Sequence, residues 1–221
     1  LAQNMRLIRE LVGPDTAITA VVKANAYGHG AVGVAETLME SGADYLSVAT
    51  LSEAVEIKNI YPDYPVFIMG HTPDKYLPHV VDHDITATIF SLQQAQILNT
   101  LAEKAGKKAK VHIKLDTGFH RLGLDAKDCE QTLQTIRAIT ALPHIDAEGL
   151  FSHLALVNDE ENDKQYQLFT NIADRLKEDG IVFRYYHLAD SIATVDDPQF
   201  RLNMVRVGAL IYGMRGFHKG F

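Results

Sequence analysis

The residues able to do chemistry in this chain gather in a few short stretches, and the first carries a lysine. Residues 21–30 read Val-Val-Lys-Ala-Asn-Ala-Tyr-Gly-His-Gly and follow Ala17-Ile18-Thr19-Ala20, so a continuous apolar run reaches Lys23 and then breaks into a turn. An apolar run bounded by turn residues reads as a strand buried on both faces. The spacing predicts one over residues 17–26, with Lys23 at its carboxyl end. Burial disfavours a charged amine, which lowers its pKa and frees it as a Schiff-base nucleophile. Tyr27 offers a hydroxyl four residues on, and Gly28 and Gly30 let the backbone turn tightly against a ligand. The competing reading of this stretch alone is a lysine that only extends its ammonium from a strand end into water.

The remaining candidates also stand where strands end. His112-Ile113-Lys114-Leu115-Asp116-Thr117-Gly118-Phe119-His120-Arg121-Leu122-Gly123 runs off a predicted strand over 110–116, and His153 closes one over 145–153. Asp190 and Ser191 follow a strand over 185–189, while Arg206 and Gly208 lie on one over 204–211. Further apolar runs at 44–49, 65–69 and 85–90 complete eight strands. Helical patterns separate most of them: a stripe of Ala31, Val34, Ala35 and Leu38, a capping box at Thr50-Leu51-Ser52-Glu53 with Ile60 turned inward, and a second box at Ser91-Leu92-Gln93-Gln94. A helix over 125–139 buries Cys129, Leu133 and Ile136, and a long one follows Asn158-Asp159. Eight alternating units predict a (β/α)8 TIM barrel, a parallel sheet closed on itself. The rival is an open doubly wound sheet, but no Gly-x-Gly-x-x-Gly follows a strand. No linker interrupts the chain, so one domain is expected over residues 1–221.

Chemistry in such barrels sits at the carboxyl ends of the strands, and the loops after strands seven and eight often cradle a phosphate. Ser191 would supply a hydroxyl there and Gly208 and Ala209 their backbone N–H groups. Taken singly, Arg121 or Arg206 reads as an ion pair, His153 as a core histidine and Ser191 as a helix cap. Their expected convergence on one rim is what a cofactor demands.

The motifs themselves carry a resemblance. Lys-Ala-Asn-Ala-Tyr-Gly-His-Gly at 23–30 is similar to the cofactor-lysine motif of the alanine racemases, and four further stretches resemble signatures of that family in the same order. They are Leu-Asp-Thr-Gly-x-x-Arg-Leu-Gly at 115–123, Phe-Ser-His-Leu-Ala at 151–155, residues 187–191, and Met-Val-Arg-Val-Gly at 204–208. The resemblance implies pyridoxal 5'-phosphate as cofactor, with Lys23 as its Schiff-base lysine and Tyr27 near its phosphate. It places Arg121 at the phenolic oxygen, His153 beside the ring and Arg206 at the pyridine nitrogen. Arginine has donors and no acceptor, so that nitrogen stays unprotonated and the cofactor is a weaker electron sink.

The same resemblance implies interconversion of L- and D-alanine by two bases, supplying the D-isomer for peptidoglycan. Lys23, Arg121 and His153 would be catalytic. The other base, a tyrosine, belongs to a separate β domain of the partner in a homodimer, and this chain stops at Phe221, where that domain should begin. A piece lacking that domain is expected to be inactive or nearly so. Family members with lysine at the position of Lys114 also suggest carbamylation there. Asp190 departs from the more usual asparagine, and a carboxylate at that place should weaken phosphate binding unless it points away or is protonated. Serine as substrate, a pyridoxal-phosphate homeostasis protein without turnover, and a cofactor-free Schiff-base aldolase are the alternatives.

Composition narrows the classes. A formal charge of -7 without a long basic run argues against a nucleic-acid groove. The single cysteine cannot build a disulfide framework and fits a reducing cytoplasm. No apolar run reaches the roughly 18 residues that span a bilayer. No metal site is expected.

Overall fold

A computed structural model of the chain describes residues 1–214. Phe221, where the sequence suggests a boundary with a further domain, lies outside the described residues. In chain order the elements are α1 (Ala2–Val12), β1 (Ala17–Val21), α2 (Lys23–Tyr27), α3 (Ala31–Glu40), β2 (Tyr45–Val48), α4 (Leu51–Lys58), β3 (Val66–Ile68), a 3-10 turn (Asp74–Tyr76), α5 (Leu77–Asp82) and β4 (Thr86–Ile89). There follow α6 (Leu92–Lys104), β5 (Ala109–Asp116), the short β6 (Leu124–Asp125), α7 (Cys129–Thr140), β7 (Ile145–Phe151), α8 (Asp159–Glu178), β8 (Tyr185–His187), α9 (Ser191–Asp196), a second 3-10 turn (Pro198–Arg201) and β9 (Met204–Val207). The eight predicted strands are all present, and β6 is an addition.

These elements fall into two compact units. The first comprises Leu1–Gly70 and, of the described residues after the second unit, those from His187 to Met214. Its strands run parallel in the order β9, β1, β2, β3, with Ala17 opposite Met204, Thr19 opposite Tyr45 and Leu46 opposite Val66. Both faces of these strands are covered, so they read as mostly apolar runs: Ile18, Leu46, Phe67, Val205 and Val207 are fully buried. Thr19 and Ser47 interrupt these runs as buried polar residues, and Arg206 as a buried cation in the middle of β9.

The second unit is His71–Tyr186, where β4 and β7 flank β5 in parallel. Val111 faces Ala147 but the next residue, His112, faces Gly149, so Glu148 bulges out of the ladder. Gly149 is required at that point, because a Cβ there would stand 2.7 Å from the His112 ring.

The structure corrects several expectations. Strands β7, β8 and β9 end at Phe151, His187 and Val207, short of residues 153, 189 and 211, so His153 and Gly208 stand just past strand ends. Ser91 caps α6 by accepting from the Gln94 N–H, but the Gln94 side chain does not close the box and donates to Thr72 O at 2.9 Å instead. Strand β1 ends at Val21 and not at residue 26, because the chain turns left-handed directly after Lys23. Helix α7 begins at Cys129 and not at Asp125, since residues 124–125 pair with β5 and Asp128 caps the helix by accepting from the Gln131 N–H. Cys129 is consequently half-buried, its sulfur accepting from Arg175 Nη1 at 3.3 Å. Ile60 is exposed, past the end of α4. Among the described residues no helix is long and apolar enough to cross a membrane.

Candidate active site

The turn after Lys23 is the most unusual backbone in the molecule. Ala24, Asn25 and Ala26 adopt φ/ψ of 52/48°, 51/50° and 54/46°, Tyr27 has φ 54°, and Gly28 continues at φ 90°. Left-handed helical geometry presses each Cβ against the next carbonyl and costs roughly 1–2 kcal/mol per residue. Such strain persists only where surrounding contacts over-determine it. Here the Ala26 N–H donates to Val22 O at 2.8 Å, the Ala24 N–H donates to Glu53 Oε1 at 2.7 Å, and Asn25 Oδ1 accepts from the Ala31 N–H at 2.7 Å. Lys23 stands half-buried at the foot of the turn and Tyr27 half-buried at its head.

Tyr27 meets β9 and the start of α9. The Ser191 hydroxyl oxygen accepts from the Gly208 N–H at 2.9 Å and the Leu210 N–H at 3.3 Å. A Cβ on Gly208 would lie 2.7 Å from the Tyr27 hydroxyl, so the absence of a side chain is what lets the phenol approach. The Tyr27 hydroxyl thus approaches Gly208, whose N–H, with that of Leu210, converges on the Ser191 hydroxyl oxygen; converging hydroxyl and backbone N–H donors are of the kind that bind anions. Burial, and after it the charge of Asp190, pushes the Tyr27 pKa up, so its phenol remains a donor. The Tyr212 ring packs 5.2 Å from that of Tyr27 and stacks 4.7 Å from His29, and its hydroxyl donates to Val21 O. The Asp190 carboxylate caps α9, accepting from the Ile192 and Ala193 N–H groups at 2.9 and 3.0 Å.

Arg206 is locked in place. Its guanidinium donates to His187 O at 3.1 Å and Leu188 O at 2.8 Å, and lies 2.9 Å from His187 Nδ1. Because arginine only donates, Nδ1 must accept, which leaves the His187 proton on Nε2.

The second unit presents its candidates differently. Asp116 closes β5 and its Oδ1 accepts from the Gly118 and His120 N–H groups, both at 3.0 Å, shaping the loop that carries Arg121. Burial pushes this carboxyl up, but those two N–H groups and the charges of His120 and Lys114 outweigh it and hold its pKa below the usual value. Arg121 is exposed and its guanidinium lies 4.5 Å above the Phe119 ring, whose edge meets His153 at 4.8 Å. Lys114 is buried, with Nζ 3.3 Å from Leu115 O and 4.9 Å over the Phe151 ring.

The sequence profile described as "Alanine racemase, N-terminal domain" matches residues 1–216. The chain belongs to that family. The alanine racemase of Methanococcus maripaludis is 38% identical over 219 residues, and alanine racemase 2 of Caldanaerobacter subterraneus is 39% identical over 216. These alignments cover 97% and 96% of the chain but only 58% and 55% of those proteins, so it spans a little over half their length. Among solved structures, alanine racemase from Clostridium difficile 630 in complex with cycloserine superposes with a TM-score of 0.92 at 37% identity, covering 99% of this chain and 59% of that one. The Bacillus anthracis alanine racemase with bound L-Ala-P gives 0.88 at 30% identity, covering 97% of this chain and 55% of that one. The fold class is the (β/α)8 TIM barrel, and the alanine racemase family depends on pyridoxal phosphate.

In this member of the alanine racemase N-terminal family, the first unit brings Gly208 against both Ser191 and the Tyr27 hydroxyl and sets Lys23 one left-handed turn away. The second links Arg121 and His153 through Phe119. The second N–H on Ser191 belongs to Leu210, whereas the Ala209 carbonyl accepts from the Met214 N–H. The donor set around Tyr27 and Ser191 fits a phosphate. Sequence reasoning missed Glu53 and Gln165. The capping box already accounted for Glu53, hiding its second contact; Gln165, whose Oε1 accepts from the Ala155 N–H at 2.9 Å, carries no motif.

Proposed function

We propose that this chain is the cofactor-bearing barrel domain of a pyridoxal-phosphate-dependent amino-acid racemase acting on alanine. The observation that carries the reading is the close approach of the Tyr27 hydroxyl to Gly208, whose N–H donates to Ser191, one left-handed turn from Lys23; a Cβ on Gly208 would stand 2.7 Å from that hydroxyl. Pyridoxal phosphate, when bound, supplies the electron sink that lets an amino acid release its α proton. Tyr27, Ser191 and the N–H groups of Gly208 and Ala209 bind the phosphate. Lys23 tethers the cofactor through its amine and, once free, moves the proton on one face of the α carbon. Arg206 offers only donors and so keeps the ring nitrogen unprotonated. Arg121 donates to the phenolic oxygen and His153 lines the ring.

The second base is a tyrosine outside residues 1–221, from the β domain of the partner in a cytoplasmic homodimer that supplies D-alanine for peptidoglycan. On this reading the chain alone binds cofactor but does not racemise. Serine as substrate would use the same residues.

Lys114 is proposed to carry a carbamate. The Lys114 ammonium first releases a proton; the free amine then attacks carbon dioxide, an N–C bond forms as one C–O π bond breaks, and a second proton leaves to solvent, turning a buried cation into an anion on the strand that leads to Arg121. A bare ammonium balanced by Asp116 is the competing state, since the Lys114 charge helps hold that carboxyl down. A mass gain of one carbon dioxide on the Lys114 peptide supports the carbamate, and an unmodified amine in bicarbonate buffer sinks it.

Mixing the chain with pyridoxal phosphate tests the main reading. A band at about 420 nm that borohydride abolishes, with the cofactor then fixed to Lys23, is expected. No band, or attachment elsewhere, overturns it. Interconversion of L- and D-alanine by the chain alone at an ordinary enzymatic rate overturns the assignment of the second base.

A further inference from the structure

The Glu53 carboxylate does more than cap a helix. One oxygen, Oε2, accepts from the Ala49 and Thr50 N–H groups at 2.8 and 3.0 Å, which is the capping arm expected at the start of α4. The other, Oε1, leaves that helix and accepts at 2.7 Å from the N–H of Ala24, the residue directly after Lys23 and the first in left-handed conformation. A single charged group thus joins the end of β2 to the strained turn, using three backbone donors. Left-handed geometry is unfavourable for residues with a Cβ, so the turn needs an external hold, and charge-assisted bonds are the stronger kind.

We propose that Glu53 is a positioning residue for the cofactor lysine: it clamps the left-handed turn so that Lys23 and Tyr27 are presented in fixed relation to one ligand. Glu53 touches neither cofactor nor substrate in this role; it acts through the Ala24 backbone. The inference rests on the cofactor reading above.

The test separates clamp from cap. Glu53→Gln keeps the side-chain shape but replaces one accepting oxygen by an NH2 group that donates. Thr50→Ala removes the other half of the capping box and leaves the Glu53–Ala24 bond. Titrating each purified protein with pyridoxal phosphate and trapping Lys23 with borohydride, we expect Glu53→Gln to weaken binding about tenfold, the worth of one charged hydrogen bond. Thr50→Ala is expected to bind as the parent does. Adding Ala24→Gly to Glu53→Gln should recover most of the loss, because glycine takes left-handed geometry without an external hold. Equal weakening by Thr50→Ala, unaltered binding by Glu53→Gln, or no recovery with Ala24→Gly overturns the clamp.

Amide exchange on the unsubstituted chain provides a readout that does not need the variants to fold. Ala24 is expected to be protected, and free exchange there overturns the proposal. If the unsubstituted chain forms no reducible adduct at Lys23, the functional reading fails instead, and exchange at Ala24 still decides whether the clamp exists.

Discussion

The two units carry their candidate residues in opposite ways. In the first, chemistry is set by backbone: a left-handed turn after Lys23, a glycine with no room for a side chain, and N–H groups gathered on the Ser191 hydroxyl. In the second, side chains do the arranging, with Asp116 shaping a loop and Phe119 lying between Arg121 and His153. Backbone-built sites tolerate almost no substitution where the chain approaches itself, because a main-chain contact has no rotamer through which to relax. A side-chain scaffold yields more gradually. The first unit should therefore fail abruptly and the second by degrees.

The largest expected effect is at Arg206. Arg206→Met leaves the His187 and Leu188 carbonyls and His187 Nδ1 without these donors inside the first unit. Each hydrogen bond lost costs about 1 kcal/mol, so a loss of about 3 kcal/mol over the three is expected, lowering the melting temperature by roughly 6–12 °C. A drop below about 1 kcal/mol in chemical unfolding would show that the guanidinium does not hold this region. Next comes Gly208→Ala. Its Cβ would stand 2.7 Å from the Tyr27 hydroxyl, and displacing that group by a fraction of an ångström should weaken pyridoxal phosphate binding by about ten- to a hundredfold. Removing the hydroxyl with Tyr27→Phe should make the same glycine substitution clearly less costly, leaving only the 3.3 Å approaches to the residue-27 ring and to Val21 Cβ. Additive losses in that double-mutant cycle would break the claim that close approach is what Gly208 provides.

What the sequence disclosed follows the same division. The strands were legible because two-sided burial leaves mostly apolar runs; the bulge at Glu148, which sets Gly149 against the His112 ring, was not. Lys23 and Arg206 could be singled out because a cation is unusual within or at the end of an apolar strand, and Tyr27, Ser191 and Gly208 because they lie in the motifs beside those strands. The left-handed turn was not legible. Ala24, Ala26 and Tyr27 have no local preference for that conformation, and Asn25 alone tolerates it readily. One of its holds lies 29 positions away in Glu53, whose second bond no local pattern encodes. Cys129 was misplaced for a related reason: its apolar spacing is genuine, but the Asp128 cap puts it in the first turn of α7, beside Arg175 of α8.

Gln165 tests the gradual failure expected of the second unit. Its Oε1 takes the Ala155 N–H, just past His153, while its amide end lies 3.3 Å from where a Gly118 Cβ would be, on the loop carrying Arg121. Gln165→Leu keeps much of the volume and loses the acceptor. We expect a loss of about 1–2 kcal/mol, the cost of one unsatisfied buried donor, with faster amide exchange at Ala155. Binding of pyridoxal phosphate should weaken less than in Gly208→Ala. A larger loss would erase the proposed contrast.

The smallest effect separates the units by pH. Asp116 has a folded pKa held below the ordinary 3.8, so its contribution to the Arg121 loop is full above that value and is lost as pH falls through the lower folded one. Tyr27 is shifted the other way: its pKa is raised above the ordinary 10.0, so the neutral phenol persists below that value and is lost only as pH rises through the higher folded one. Exchange of the Gly118 and His120 amides should therefore quicken at the acid end, and Asp116→Asn should flatten that dependence. Tyrosinate absorbance from Tyr27, isolated by difference from Tyr27→Phe, should emerge only at the alkaline end. If acid loosened residues 24–27 before residues 117–121, electrostatics would not divide the units this way, and the backbone-built turn would be the weaker of the two.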